Sequence, residues 1–115
     1  MQKFLVLYLT PVSVLEAWSK TDPEERKVAE EKMKGEWQTW ASTHAGMILE
    51  TAGAGKTKRV TKEGVMDAKN DIMLYSIVEA ESHEAATKIF ENHPHFGIPE
   101  ASIEIMPMNP LPGMA

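Results

Sequence analysis

Apolar residues recur along this chain with two periods, and the switches between them outline the fold. Phe4 to Leu9 reads FLVLYL, with Leu5, Leu7 and Leu9 on one alternating face and Phe4, Val6 and Tyr8 on the other. This predicts a strand that needs cover on both sides. Ile72 to Val78 is a second near-continuous apolar run rich in β-formers, in which Ile72, Leu74 and Val78 oppose Met73, Tyr75 and Ile77. Between these runs the period becomes helical. Ala29, Met33, Trp37, Trp40 and His44 recur at steps of four, four, three and four, which predicts one buried stripe. Glu25, Lys27, Glu30, Glu31, Lys34 and Gln38 mostly occupy its wet side.

Turn and capping residues divide the remainder. Pro11 to Lys20 is a loop or short helical turn carrying Leu15 and Trp18, and Thr21-Asp22-Pro23-Glu24 reads as a capping box with Pro in the first turn of the long helix. Gly35 weakens that helix unless something packs closely there, and Gly46 marks its end. Met47 to Ala52 is a strand. Lys58 to Val60 and Val65 to Asp67 are the arms of a small hairpin turned at Lys62-Glu63-Gly64. After the Ile72–Val78 strand, Ser82 is a good N-cap for a helix carrying Ala85, Ala86, Ile89 and Phe90, with Glu84 suited to its dipole and Asn92 and Pro94 stopping it. Gly97 to Glu100 is a turn, Ala101 to Met106 a last strand, and the Pro-rich tail over residues 109–115 an extended surface segment. The order β-α-β, hairpin, β-α-β predicts an α+β fold. It is a ferredoxin-like βαββαβ arrangement with a four-stranded antiparallel sheet, both helices on one face and an inserted hairpin.

Composition narrows the partners. The 115 residues are read as a single domain over 1–115, and with 43% hydrophobic and 25% charged residues an ordinary folded core is expected. A net charge of -5 disfavours nucleic acid as a partner. The chain has no cysteine, which excludes thiol chemistry and fits a reducing compartment. The first apolar run is far too short to span a membrane and has no small-residue cleavage site, so a cytoplasmic protein is expected.

Candidate chemistry gathers at His93-Pro94-His95-Phe96. His93 continues the Ala86, Phe90 stripe beside the negative end of its helix, where a protonated imidazole would be favoured. His95 lies outside that helix and could titrate near neutrality as acid or base. Two histidines are too few ligands for a metal, and no third lies at ligand spacing, so neither metal nor cofactor is expected. His44 closes the stripe of the long helix, where Trp37 and Trp40 read as core and pocket wall. Tyr8, Glu50, Tyr75, Ser76 and Glu104 are polar exceptions within strands and need a partner or a cavity. A Ser76–His95–Asp67 triad would lack the G-x-S-x-G elbow, and the chain is short for that fold. Ala52-Gly53-Ala54-Gly55-Lys56-Thr57 fails as a phosphate-binding loop, because Glu50 stands where the first Gly belongs and a strand-like segment follows. It reads as a Gly-rich connection, with Lys56, Lys58, Arg59 and Lys62 as a local basic patch.

With the elements in this order, the chain resembles the YCII-related family of the dimeric α/β-barrel superfamily over nearly its whole length. The likeness lies in KFLVLY, the TDPEERK helix start, LYSIVEAESHEAATKIFENHPHF and the closing ASIEIMPM. Many relatives carry Asp-Gly-Pro-Phe before the penultimate strand, where this chain departs with Gly64-Val65-Met66-Asp67-Ala68-Lys69. The resemblance implies the fold, a homodimer and a pocket with a His and an Asp, the latter role falling on Asp67. The expectation is a small cofactor-free protein binding a small organic ligand, with His95 or His93 as acid/base, Ser76 or Tyr75 orienting, and Trp40 and His44 at the ligand. The alternative is a non-catalytic ligand-binding or regulatory module. A homodimer also follows from strands apolar on both faces, with Ile77 and Val6 as candidate contact positions.

Overall fold

The computed structural model describes residues 1–113. The final two positions of the expected tail lie outside the described residues, and residues 108–113 are exposed and without regular structure apart from a turn. The first apolar run forms β1 (Gln2–Leu9). It sits inside a four-stranded antiparallel sheet between β5 (Ile72–Ala80) and β6 (Ser102–Pro107), with β2 (Ile48–Gly53) outside β5. The strand order β2-β5-β1-β6 is the ferredoxin-like order. The hairpin of β3 (Thr57–Thr61) and β4 (Gly64–Ala68) is inserted before β5 as a separate two-stranded sheet.

Local chemistry explains the helices. Pro11 to Lys20, readable as loop or turn, is a two-turn helix, α1 (Val12–Ser19). The long helix α2 (Pro23–Thr43) is capped by Asp22, whose carboxylate accepts from the Glu25 amide at 3.2 Å. This corrects the capping box starting at Thr21. Pro23 forces the residue before it into an extended conformation, so Asp22 becomes the cap, while the Thr21 hydroxyl donates to the Trp18 carbonyl at the end of α1. Ser82 caps α3 (His83–Ile89) as expected, accepting from the Ala85 amide at 3.1 Å. The chain leaves that helix before Asn92 and makes a 3-10 turn over Pro94–Gly97.

Both main helices pack on one sheet face. Register pairs Phe4 with Val78 and Val6 with Ser76, and these side chains are buried with Tyr8, Ala80, Ala86 and Phe90. Trp37 and Trp40 of α2 pack against them while remaining half-buried. The α2 stripe is therefore not a buried one: the helix has no fully buried residue, and Ala29 in its N-terminal half is exposed. The opposite sheet face carries Leu5, Leu7, Tyr75, Ile77 and Met106, with Glu104 paired to Leu7 and Glu50 to Ile77, and no layer of helix over it. Ile77 belongs to this open face, but Val6 does not. Alternation puts Val6 beneath the helices at 0% exposure, so the two cannot share a contact surface.

Candidate functional site

The aromatic side of α2 and the segment after α3 meet over the end of β1, and this junction buries both candidate histidines. His93 is 2% exposed and His95 1%. The Pro94–Gly97 turn sets their relation: the His95 amide donates to His93 Nδ1 at 2.9 Å, which makes His93 the N-cap of the turn. His95 Nε2–H in turn donates to the Leu9 carbonyl at 2.9 Å, fastening the turn to the end of β1.

Trp37 and Trp40 stand edge-on to the His93 ring, with centroids 4.3 Å away in each case, and Tyr8 and Phe90 complete the wall at 5.3 and 5.8 Å. Removal from water lowers the His93 pKa to about 4, and the neighbouring His95 and His44 add to the effect. The expectation of a protonated His93 favoured by a helix end is thereby corrected. His93 lies past the helix, and its desolvation outweighs any dipole benefit. Burial lowers the His95 pKa as well, opposed by the carbonyls of Leu9 and Ser102. A neutral His93 whose Nδ1 accepts a hydrogen bond carries its proton on Nε2, and that N–H is buried without a partner among the described residues. Thr10 Oγ1 at the end of β1 is a second such atom.

The other candidates divide among three places. Ser76 belongs to the histidine side of the sheet, in a chain of hydroxyls with Tyr8 at 2.9 Å and Thr51 at 2.7 Å. Trp40 is in the His93 wall, and His44, the C-cap of α2, stacks near Trp40 with Nδ1 2.9 Å from its carbonyl oxygen. Tyr75 points to the open face, where its hydroxyl donates to Glu50 at 2.8 Å. Adjacent residues of a strand face opposite ways, so Ser76 and Tyr75 cannot orient one ligand within one chain. Asp67 lies on the hairpin in an exposed ion pair with Lys58 at 2.6 Å. Neither Ser76 nor Asp67 hydrogen-bonds His95, and the Ser76–His95–Asp67 triad is not assembled. Thr51 and Thr10 escaped the sequence reading: Thr51 is exposed on the edge strand β2, and Thr10 stands one residue past β1. No group of three or more His, Asp or Glu side chains suited to a metal occurs among the described residues.

Access to this cluster is restricted. Met33 of α2 lies over the turn, its Cε 3.4 Å from where a Cβ on Gly97 would stand. A small molecule reaches His93 only if the half-buried α2 or the turn moves aside. A cleft of about 350 Å3 lies elsewhere, at the base of the hairpin.

No protein-family model and no curated protein matches the chain. Among solved structures it is similar to 5-chloro-2-hydroxyhydroquinone dehydrochlorinase (TftG) from Burkholderia phenoliruptrix AC1100, in complex with 2,5-dihydroxybenzoquinone. The TM-score is 0.50 and the identity 14%, covering 90% of this chain and 91% of that one. The likeness is one of fold. It agrees with the ferredoxin-like arrangement read from the strand order. No helix among the described residues is long and apolar enough to cross a membrane.

Proposed function

We propose that this protein is a YCII-like, cofactor-free domain that binds a small organic molecule at the His93–His95 cluster and works as a homodimer. The observation that carries this reading is the buried Nε2–H of His93, unpartnered beneath two tryptophan rings. A buried donor without an acceptor costs about 1–3 kcal/mol, which a ligand carbonyl or phenolic oxygen would recover. A neutral imidazole of depressed pKa is suited to polarising such an oxygen by hydrogen bonding. His93 is thus the donor and His95 the candidate acid/base, with Ser76 orienting through Tyr8 and Trp40 forming the wall. A planar, oxygen-bearing ring of the size of the 2,5-dihydroxybenzoquinone held by TftG is the ligand class this cluster would suit. Tyr75 and Asp67 take no part in the cluster in this reading.

A second reading, a non-catalytic ligand-binding or regulatory module, has its own support. His93 Nδ1 and His95 Nε2–H are engaged in hydrogen bonds that hold the turn, so His93 has only its Nε2–H to offer and His95 has no free Nε2 for proton transfer. A thermal-shift screen of hydroxylated quinones, phenols and small ketones against wild type, His93→Phe and His95→Ala tests both. The expected outcome is a ligand that stabilises wild type and loses its effect in both variants. Turnover of that ligand supports the enzyme, and saturable binding without turnover the module. A ligand whose binding and turnover survive both substitutions would remove the histidine cluster as the site.

A further inference from the structure

We propose that the cleft at the base of the hairpin is a second binding site, for a small organic anion with a compact apolar body. This goes beyond the histidine cluster and rests on different elements. The cleft, about 350 Å3, lies where α1, the hairpin and the beginning of β5 converge. That volume is at the lower end of the range for small-molecule sites, which run from roughly 300 Å3 upward. Its floor is apolar, made by Leu15, Ile72 and Met73, and its rim carries Lys56, Lys69 and Asn70.

The walls are tied to one another. Asn70 Nδ2 donates to Thr57 Oγ1 at 3.2 Å while its Oδ1 accepts from the Ile72 amide at 3.0 Å, joining hairpin to sheet. Lys69 reaches Glu16 of α1 at 3.2 Å, and the Val12 amide donates to Asp71 Oδ1 at 3.3 Å. The Ala54 amide is held by the Met73 carbonyl at 2.8 Å, which fixes the Gly-rich connection along the rim. The Asn70 and Ala54 hydrogen bonds hold the hairpin and the Gly-rich connection against the sheet without a ligand, whereas the Lys69–Glu16 pair is the tie that can open.

The charged side chains of the lining itself, Lys56 and Lys69, are both cationic, which favours an anion. Glu16, Asp67 and Asp71 lie beside the cleft but outside its lining; Glu16 and Asp67 are ion-paired with Lys69 and Lys58, while Asp71 accepts from the Val12 amide and keeps its charge. Lys56 has no ion pair among the described residues. The Lys69–Glu16 pair is exposed and weak enough to exchange Glu16 for a bound anion. One free ammonium in open solvent holds a bare anion poorly, so the apolar floor must contribute most of the affinity. The motif that fails as a phosphate loop thus supplies the cation of a different site.

Amide chemical-shift titration of the isotope-labelled protein tests this with benzoate, hexanoate, benzyl alcohol and inorganic phosphate as probes. Benzoate or hexanoate is expected to move the amides of Gly55, Lys56, Asn70 and Met73 saturably. Benzyl alcohol and phosphate should each bind at least about tenfold more weakly, and Lys56→Glu or Lys56→Ala should weaken the carboxylate by a similar factor. Lys56 is exposed, so both variants should keep the wild-type spectrum elsewhere. The proposal is overturned if neither carboxylate shifts these amides, if benzyl alcohol or phosphate matches them, or if both Lys56 variants bind unchanged. Shifts confined to His93 and His95 would place the carboxylate in the histidine cluster and also overturn it.

Discussion

Burying His93 beneath Trp37 and Trp40 gives up the ring's freedom to charge, and the consequence is a pH-dependent stability. In the unfolded chain an imidazole titrates near 6.5, whereas the folded His93 does so at about 4. Between these values the unfolded state binds more protons, so the contribution is complete above about pH 6.5 and is lost as the pH falls towards 4. At about 1.4 kcal/mol per unit, the whole shift is worth on the order of 3 kcal/mol. Urea unfolding at pH 7.5 and 4.5 should show a larger loss for wild type than for His93→Gln, and NMR titration should place the imidazole midpoint far below 6.5. An ordinary midpoint would mean that water reaches the ring and that the closed cluster is wrong. The sequence marked His93 and His95 as the unusual residues but misjudged the His93 charge. Proximity to a helix end is visible in spacing, whereas the tryptophans that desolvate the ring arrive from a helix fifty residues earlier and are not. Ser76 and Tyr75 were both legible as polar exceptions. Alternation alone sets them on opposite faces, and the register with buried Val6 and half-buried Leu7 shows which of the two lies under the helices.

At the level of elements, period and punctuation located every strand and both main helices, and failed where two local rules competed. Thr21 and Asp22 are both acceptable caps, and Pro23 settles the choice by restricting the residue before it. The half-buried state of α2 was less legible, because a periodic stripe shows which side of a helix faces inward and not how far the sheet extends beneath it. Gly35 bears on this directly. A Cβ placed on Gly35 would meet nothing within 4 Å, so no close packing in this chain requires glycine there. Gly35→Ala should stabilise α2 by up to about 1 kcal/mol and raise the melting temperature by a few degrees. A lower melting temperature would show instead that another chain packs against α2 at that turn.

Taken as a whole molecule, the chain is thin, with extents of 51 × 45 × 19 Å and a radius of gyration of 16.3 Å. A compact domain of this length should have a radius near 13 Å. The exposed surface is 8272 Å2, against about 6,300 Å2 for a compact monomer of this mass. The projecting hairpin, with Val60 and Val65 exposed, accounts for part of that excess, and the uncovered sheet face for part. Leu5, Leu7, Ile77 and Met106 leave the middle of that face apolar, with Glu50, Tyr75 and Glu104 as its polar positions. Covering it with a second copy, face to face about a twofold axis, would bury apolar surface at about 25 cal/mol per Å2 and offset the entropy of association. The wild-type protein is therefore expected to sediment as a dimer at micromolar concentration. Ile77→Lys introduces a charge on the open face, so it should yield a monomer that keeps its circular dichroism, or a precipitate. Val6→Lys puts the same charge beneath Trp37 and Phe90, where it has no water and no partner, and should unfold the chain rather than separate two copies. A monomeric wild type would refute the pairing outright. A fully dimeric Ile77→Lys would move the interface off the open sheet face, leaving α2 and the hairpin as the surfaces that hold the two chains together.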